Sequence, residues 1–251
     1  GVRTGQLLVN IVTSSQEDFD EDGFVSGLLA LELDNEVVGV LRTFNDRLAD
    51  AVVCDSLKTL WGRDYYMENL LGLSFKVSAF SFFQTNIEAV ERLYAEALNL
   101  AGCLTGKNVF DLYCGTGTIS QIMALKAKSV LGIELVPEAV AAATENARLN
   151  GLDNCRFIAG DVFEVLKTVE EKPDVIVVDP PRVGIQTKAL GKILEYGVEQ
   201  IVYVSCNPKT LADNIKFMEG YGYRCQYLKP YDNFPFTKHT ECVALMTRGK
   251  E

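Results

Sequence analysis

The stretch VYVSCNPKTL (202–211) raises the first chemical question, because an apolar run, Ile201 to Val204, stops abruptly at Ser205-Cys206-Asn207-Pro208. A thiol at the lip of a buried strand has two readings. Unpaired cysteine is among the most buried residue types and packs as a small hydrophobe. Where a ligand can reach it, its thiolate is a nucleophile. A second candidate is DLYCGTGTIS (111–120), in which Gly115 and Gly117 sit between a predicted strand and a predicted helix. Glycine there lets the backbone turn tightly and approach a ligand. The third glycine of a dinucleotide fingerprint is missing, and Ser120 stands in its place. Glu134 ends the next strand in GIEL and is placed to accept from two ribose hydroxyls. A nicotinamide dinucleotide also wants that acid, so Glu134 alone leaves it and S-adenosylmethionine open. Asp161 closes a third strand, either as an acceptor for an adenine amino group or as a helix cap. Asp179 opens DPPR (179–182), where two prolines fix the loop and project the acid over the sheet edge. A phosphate would be repelled there; a cationic sulfonium or the N–H of a base would be welcome.

These residues need a frame to hold them. Residues 1–80 read as a β-rich subdomain. GQLLVNIVTSS is one strand; GLLALEL and EVVGVLR read as a hairpin turned at Asp34-Asn35; YYMENLLGLSFKVSA reads as a second hairpin. The acidic SQEDFDEDG (15–23) reads as a solvated loop or a short helix start. Residues 81–251 read as one larger domain. Asn86 caps a helix over 87–102, with apolar positions mostly on one face. Strands KNVFDLYC, SVLGIEL, CRFIAGD, DVIVVDPP and QIVYVSC then alternate with helices TISQIMALKA, PEAVAAATENARLNG, VFEVLKTV, KALGKILEYG and PKTLADNIKFMEGYG. Strands YRCQYLKPYD and ECVALMTR close the series. Unbroken runs such as VIVV predict strands covered on both faces. The expected fold is α/β, a doubly wound, Rossmann-like, mostly parallel sheet with an antiparallel C-terminal strand, preceded by the smaller β-rich unit.

Composition narrows the classes. With 48% apolar and 23% charged residues in 251, the chain can bury a real core. No apolar run is long enough to span a membrane, and the N-terminus is not a signal peptide. It begins with Gly1, which reads as a piece of a longer protein. Seven scattered cysteines (54, 103, 114, 155, 206, 225, 242) without a CxxC pair point to a reducing, cytoplasmic setting, with several in the core. The net charge of −10 taken alone speaks against a nucleic-acid binder.

Together, SFFQTN (81–86), FDLYCGTGTIS, DPPR, SCNP and FPFTKHTE (234–241) arrive in the order found in the RNA uridine-C5 methyltransferases, and the chain resembles that family from about residue 60 onward. The resemblance is greatest to the bacterial 23S rRNA enzymes. It implies an S-adenosylmethionine-dependent enzyme making 5-methyluridine in RNA, with 23S rRNA ahead of tRNA as substrate and S-adenosylhomocysteine as product. It implies that Gln84, Tyr113, Gly115, Thr118, Glu134, Asp161 and Asp179 form the cofactor pocket, that Cys206 is the nucleophile and that Glu241 is the base. Family members carry a small RNA-binding barrel, and in many cases a four-cysteine iron–sulfur site, ahead of this region. No cysteine precedes Cys54, so no cluster and no metal is expected. A barrel supplying much of the RNA contact would reconcile the acidic balance with an RNA substrate. Two departures stand out. Phe236 occupies a position where the family often has His, and His239-Thr240-Glu241 replaces His-Val-Glu. No obligate protein partner and no membrane is implied.

The chemistry explains the residue types. C5 of uracil is a poor nucleophile; a thiolate adding to C6 pushes electron density onto it, and a base must later remove the C5 proton. The helix predicted after Cys206 would bring N–H groups that lower the thiol pKa. The target base must leave its stack; FSFF (80–83), Tyr231, Phe234 and Phe236 are candidates to stack on it, although Phe82 and Phe83 read better as core. His239 reads as structural. Competing readings are a methyltransferase for an exocyclic amine, which needs no cysteine; a cytosine-C5 enzyme, whose cysteine would stand in the DPPRVG loop; a non-catalytic RNA-binding module of the same fold; and, least, an NAD oxidoreductase.

Overall fold

A computed structural model describes residues 1–16, 18–47 and 54–249. The chain divides into two compact units, Gly1–Ser81 and Phe82–Glu251.

In the first unit, β1 (Gln6–Thr13) pairs parallel with β2 (Glu36–Phe44), which pairs antiparallel with β3 (Ser56–Gly62). β4 (Tyr65–Leu70) and β5 (Leu73–Ser78) form the hairpin expected from YYMENLLGLSFKVSA. The hairpin expected across Asp34-Asn35 does not form. Its first half is divided: Gly27–Leu29 end helix α1 (Glu21–Leu29), and residues 30–35 are in no strand. Asp20 decides this locally, its side chain accepting from the Gly23 N–H at 2.9 Å, with Glu21 and Asp22 in the first turn. A short apolar run suits helix or strand equally, so the cap prevails. The acidic stretch is thus partly a helix start; Glu17 within it lies outside the described residues. β3 has no counterpart in the sequence reading.

The second unit is a seven-stranded sheet in the order β11-β12-β10-β9-β6-β7-β8. Its parallel part comprises β6 (Asn108–Leu112), β7 (Ser129–Glu134), β8 (Cys155–Ala159), β9 (Val175–Val178) and β10 (Gln200–Ser205). β12 (Glu241–Arg248) lies antiparallel between β10 and β11 (Tyr223–Tyr231). Helices α2 (Ile87–Leu100), α3 (Thr118–Ala124), α4 (Pro137–Leu149), α5 (Val162–Val165), α6 (Thr187–Leu194) and α7 (Pro208–Glu219) accompany the strands. Asn86 caps α2 through the Ala89 N–H at 3.1 Å. α5 is a single turn, shorter than its apolar pattern predicts. All four residues of β9 are buried, as a strand covered on both faces requires. A core of Phe110, Ile176, Tyr203, Met218, Tyr223 and Met246, with their neighbours, fills one side.

The strand order reverses between β6 and β9. In open α/β sheets a crevice opens beyond the carboxyl ends of strands at such a switch point. Leu112 is in register with Ile133 on one side and Val178 on the other, and Val178 with Tyr203. The residues that follow these therefore share one edge: Tyr113, Glu134, Asp179 and, a little further on, Cys206.

Candidate active site

The turn after β6 is built around left-handed backbone. Tyr113, Gly115 and Gly117 have φ of +66°, +53° and +75°. Gly117 begins α3 where a Cβ would come within 2.8 Å of Ala143 Cβ and Phe157 Cε1; a Cβ at Gly115 would meet nothing within 4 Å. One glycine therefore lets the turn pack on α4 and β8, and the other leaves the outer face of the turn clear. Glu134 is fixed from two sides: Oε2 accepts from Gly115 N–H and Oε1 from Val136 N–H, both at 3.0 Å. Each oxygen keeps a lone pair for a ligand hydroxyl. Asp161 is exposed and caps α5 through the Glu164 N–H at 3.1 Å. Thr118 is the first residue of α3 and half-buried, as is Tyr113, whose phenol burial and the Asp161 charge push up to about 12.

The segment ahead of α2 lies against this turn. Thr116 Oγ1 donates to the Phe82 carbonyl at 3.4 Å, and the Gln84 side chain hydrogen-bonds Tyr94, a buried residue of α2. Phe82 is 73% exposed, so it is not the core residue expected. Phe83 is half-buried.

Cys206 and Glu241 come together through β pairing. The last registered pair of β10 and β12 is Ser205 with Cys242, and the next residues on each strand are Cys206 and Glu241. Directly opposed antiparallel residues have Cα atoms about 4.5–5.5 Å apart. Cys206 is half-buried at the rim, not sealed under the sheet. Burial and the Glu241 and Asp179 carboxyls raise its pKa, and the Arg182 guanidinium opposes them. The thiol is therefore held up, against the expectation that helix N–H groups lower it. Burial likewise raises Glu241, which is 7% exposed, and Arg182 counters this in part. Burial and the Asp111 and Glu241 carboxyls push Asp179 up to about 8.

Three loops are tied together around this pair. Asn207 Nδ2 donates to the Arg182 carbonyl at 2.8 Å and Thr210 Oγ1 to the same oxygen at 3.3 Å. Arg182 Nη2 donates to His239 Nδ1 at 2.8 Å, which leaves that ring nitrogen as acceptor. Behind the loops, buried Asn214 on α7 accepts from the Tyr203 hydroxyl (2.7 Å) and the Ile185 N–H (2.9 Å) and donates to the Ile185 carbonyl (2.9 Å). Phe236 is fully exposed, with φ +69°. Tyr94, Arg182 and Asn214 have no role in the sequence reading. Arg182 was the detectable one, as the cation closing a stiff DPP loop.

The model for tRNA (Uracil-5-)-methyltransferase matches residues 57–249. The chain belongs to this family. It is 51% identical over 245 residues to an uncharacterized RNA methyltransferase of Clostridium tetani, covering 98% of this chain and 54% of that protein. A second uncharacterized RNA methyltransferase, from Caldanaerobacter subterraneus, is 50% identical over 247 residues, covering 98% and 55%. The chain thus spans about half the length of the curated relatives it matches. Among solved structures, Pyrococcus abyssi tRNA (uracil-54, C5)-methyltransferase in complex with S-adenosyl-L-homocysteine superposes with a TM-score of 0.79 at 26% identity, over 96% of this chain and 56% of that one. The family fold, a methyltransferase sheet with an antiparallel C-terminal strand preceded by small β-sheets, is the one described above.

The candidate cofactor residues suit a ligand that carries a diol, since both Glu134 oxygens keep acceptor capacity beside the open face of Gly115. Gln84, Tyr113, Gly115, Thr118, Glu134, Asp161 and Asp179 include three carboxyls and no Lys or Arg, the reverse of a phosphate cradle. No helix among the described residues is long and apolar enough to cross a membrane.

Proposed function

We propose that this chain holds the catalytic centre of an S-adenosylmethionine-dependent RNA uracil-C5 methyltransferase, with residues 81–251 as its catalytic domain and 1–80 as an accessory subdomain. The observation that carries the reading is the pairing of β10 with β12, which puts a rim cysteine beside a buried carboxyl whose pKa burial has raised. Gln84, Tyr113, Gly115, Thr118, Glu134, Asp161 and Asp179 hold the cofactor: Glu134 takes the ribose hydroxyls, Asp161 uses its remaining acceptor capacity on the adenine amine, and Asp179 faces the reacting centre. When bound, S-adenosylmethionine supplies an electrophilic methyl group to the activated C5 carbon.

The protein's own residues do the rest. Cys206 gives its proton to solvent as the uracil arrives, and its sulfur adds to C6. The C5–C6 π electrons move onto C5 and O4. After methylation the Glu241 carboxylate takes the C5 proton, the C5=C6 bond re-forms, and the C6–S bond breaks with its electrons returning to Cys206. Arg182 lies close enough to both groups to oppose their upward shifts, which favours the thiolate and the carboxylate as the step needs them. The uridine enters unstacked, and exposed Phe82 and Phe236 offer π-faces for it.

We place 23S rRNA first as substrate. tRNA is the second reading, favoured by the likeness to the Pyrococcus abyssi tRNA enzyme. RNA carrying 5-fluorouridine should form a lasting adduct with the wild-type protein and none with Cys206→Ala, because fluorine stands where Glu241 needs a proton. Methyl transfer retained by Cys206→Ala would overturn the reading in favour of amine chemistry. Mass-mapping of modified uridines in RNA from cells lacking the protein decides between rRNA and tRNA.

A further inference from the structure

Asn86 uses one carboxamide for two tasks. Its Oδ1 accepts from the Ala89 N–H and caps α2, while its Nδ2 donates to the main-chain carbonyl of Asn233 at 2.7 Å. Asn233 lies 147 residues away, in the segment 232–240 that leads from β11 into Glu241. It is 2% exposed, yet its own Oδ1 has no partner among the described residues. That atom contributes nothing to holding the segment; the carbonyl bond to Asn86 does. Within the segment, the Thr237 N–H and Oγ1 both donate to the Phe234 carbonyl and the His239 N–H donates to Thr237 Oγ1, bonds that do not tie it to another element. It contains Phe236 in a conformation L-residues avoid, and its far end is tied through His239 to the exposed Arg182. On the other side, Asn86 follows closely on Gln84, whose side chain meets Tyr94 of α2.

We propose that Asn86 is a positioning residue that latches segment 232–240, and so the Glu241 carboxylate, to the N-terminus of α2. The proposal rests on the reading above, in which Glu241 takes the C5 proton. Two residues that act at different stages, Gln84 at the cofactor and Glu241 at the base, are then held to a common helix. Loosening the latch leaves thiol addition and methylation in place and slows the step in which the C5–H bond breaks, the carboxylate takes the proton, C5=C6 re-forms and the C6–S bond breaks toward sulfur. The adduct ahead of that step accumulates.

Asn86→Asp in the full-length protein isolates the latch. Aspartate keeps an acceptor for the Ala89 N–H and is an equally good cap, but it has no N–H and sets an oxygen against the Asn233 carbonyl. The thermal midpoint should fall by no more than about 2–5 °C, since the cap survives and one hydrogen bond is lost. S-adenosylhomocysteine affinity should be unchanged. With total RNA from cells lacking the protein, release of methylated RNA should slow by about five- to tenfold, the effect of one lost positioning hydrogen bond, with KM for RNA nearly constant. A methyl-labelled protein–RNA adduct should appear on denaturing gels, and amide hydrogen exchange should accelerate in 232–240 while α2 stays protected. Asn86→Ser, which caps but is too short to reach Asn233, should behave alike if the aspartate variant folds poorly. Wild-type turnover with wild-type exchange in 232–240 would overturn the proposal. So would a loss shared equally by cofactor affinity, thermal midpoint and turnover, which marks a merely structural residue. If the wild-type protein forms no adduct with 5-fluorouridine RNA, the uracil reading fails by itself, and the exchange comparison still decides whether the latch exists.

Discussion

Asp111, at the floor of the switch-point crevice, should make the protein less stable as pH rises. It is 0% exposed; Oδ2 accepts from Ser120 Oγ at 2.6 Å, and Oδ1 has no partner among the described residues. Burial raises its pKa from 3.8 to about 7, the Ser120 hydrogen bonds pulling the other way. A carboxyl raised in the folded state binds more protons there than in the unfolded chain. Its stabilising protonated form is therefore fully present below about pH 4 and is lost as pH climbs through 7. The shift from 3.8 to about 7 corresponds to about 4 kcal/mol at 1.36 kcal/mol per unit, as an upper bound. Asp111→Asn keeps the shape and a hydrogen-bond partner for Ser120 and cannot ionise. Urea unfolding of both proteins at half-unit steps from pH 5 to 8.5 checks this. Wild-type stability should fall across the series, and the variant's should fall by up to about 2.5 kcal/mol less, the rest of the shift being spent below pH 5. Some dependence should persist in the variant, because Asp179, raised to about 8, acts in the same direction. Parallel curves would refute the argument and mean that Asp111 is hydrated, or ionised, in the native state.

The two glycines of the turn should respond differently. Gly117→Ala should destabilise by about 2–5 kcal/mol, combining left-handed backbone strain with overpacking against Ala143 and Phe157; Gly115→Ala should cost about 1–2 kcal/mol in strain alone and mainly weaken S-adenosylhomocysteine binding by calorimetry. Equal effects on both properties would contradict the open face assigned to Gly115. Asn214→Ala removes three buried hydrogen bonds and should lower stability by about 3 kcal/mol or more in urea unfolding; a change under about 1 kcal/mol would mean that water replaces the side chain.

Much of the second unit was legible because a sheet covered on both faces writes unbroken apolar strands between helices with visible caps. VIVV, the Asn86 cap and Pro137 at the start of α4 are local signals, and local physics decided them. The first unit was harder. GLLALEL carries no period that separates helix from strand, and β2 pairs with β1 and β3 instead of with the residues before it. At the candidate site, residue types were readable and environments were not. That Cys206 lies beside Glu241 depends on β12 entering the sheet antiparallel, and the upward shift of the thiol depends on burial and on carboxyls 35 and 27 residues distant. Bonds such as Asn207 to Arg182 and Arg182 to His239 span 25 and 57 residues, beyond any local pattern.

The position of β12 also bears on how the molecule is made. A ribosome delivers β10 well before residues 241–248, and until those emerge the outer flank of β10 offers unpaired N–H and C=O groups to whatever strand comes near. A nascent chain interrupted before Glu241 would have its thiol in place, no carboxylate to discharge an adduct, and a sticky border in place of a finished sheet.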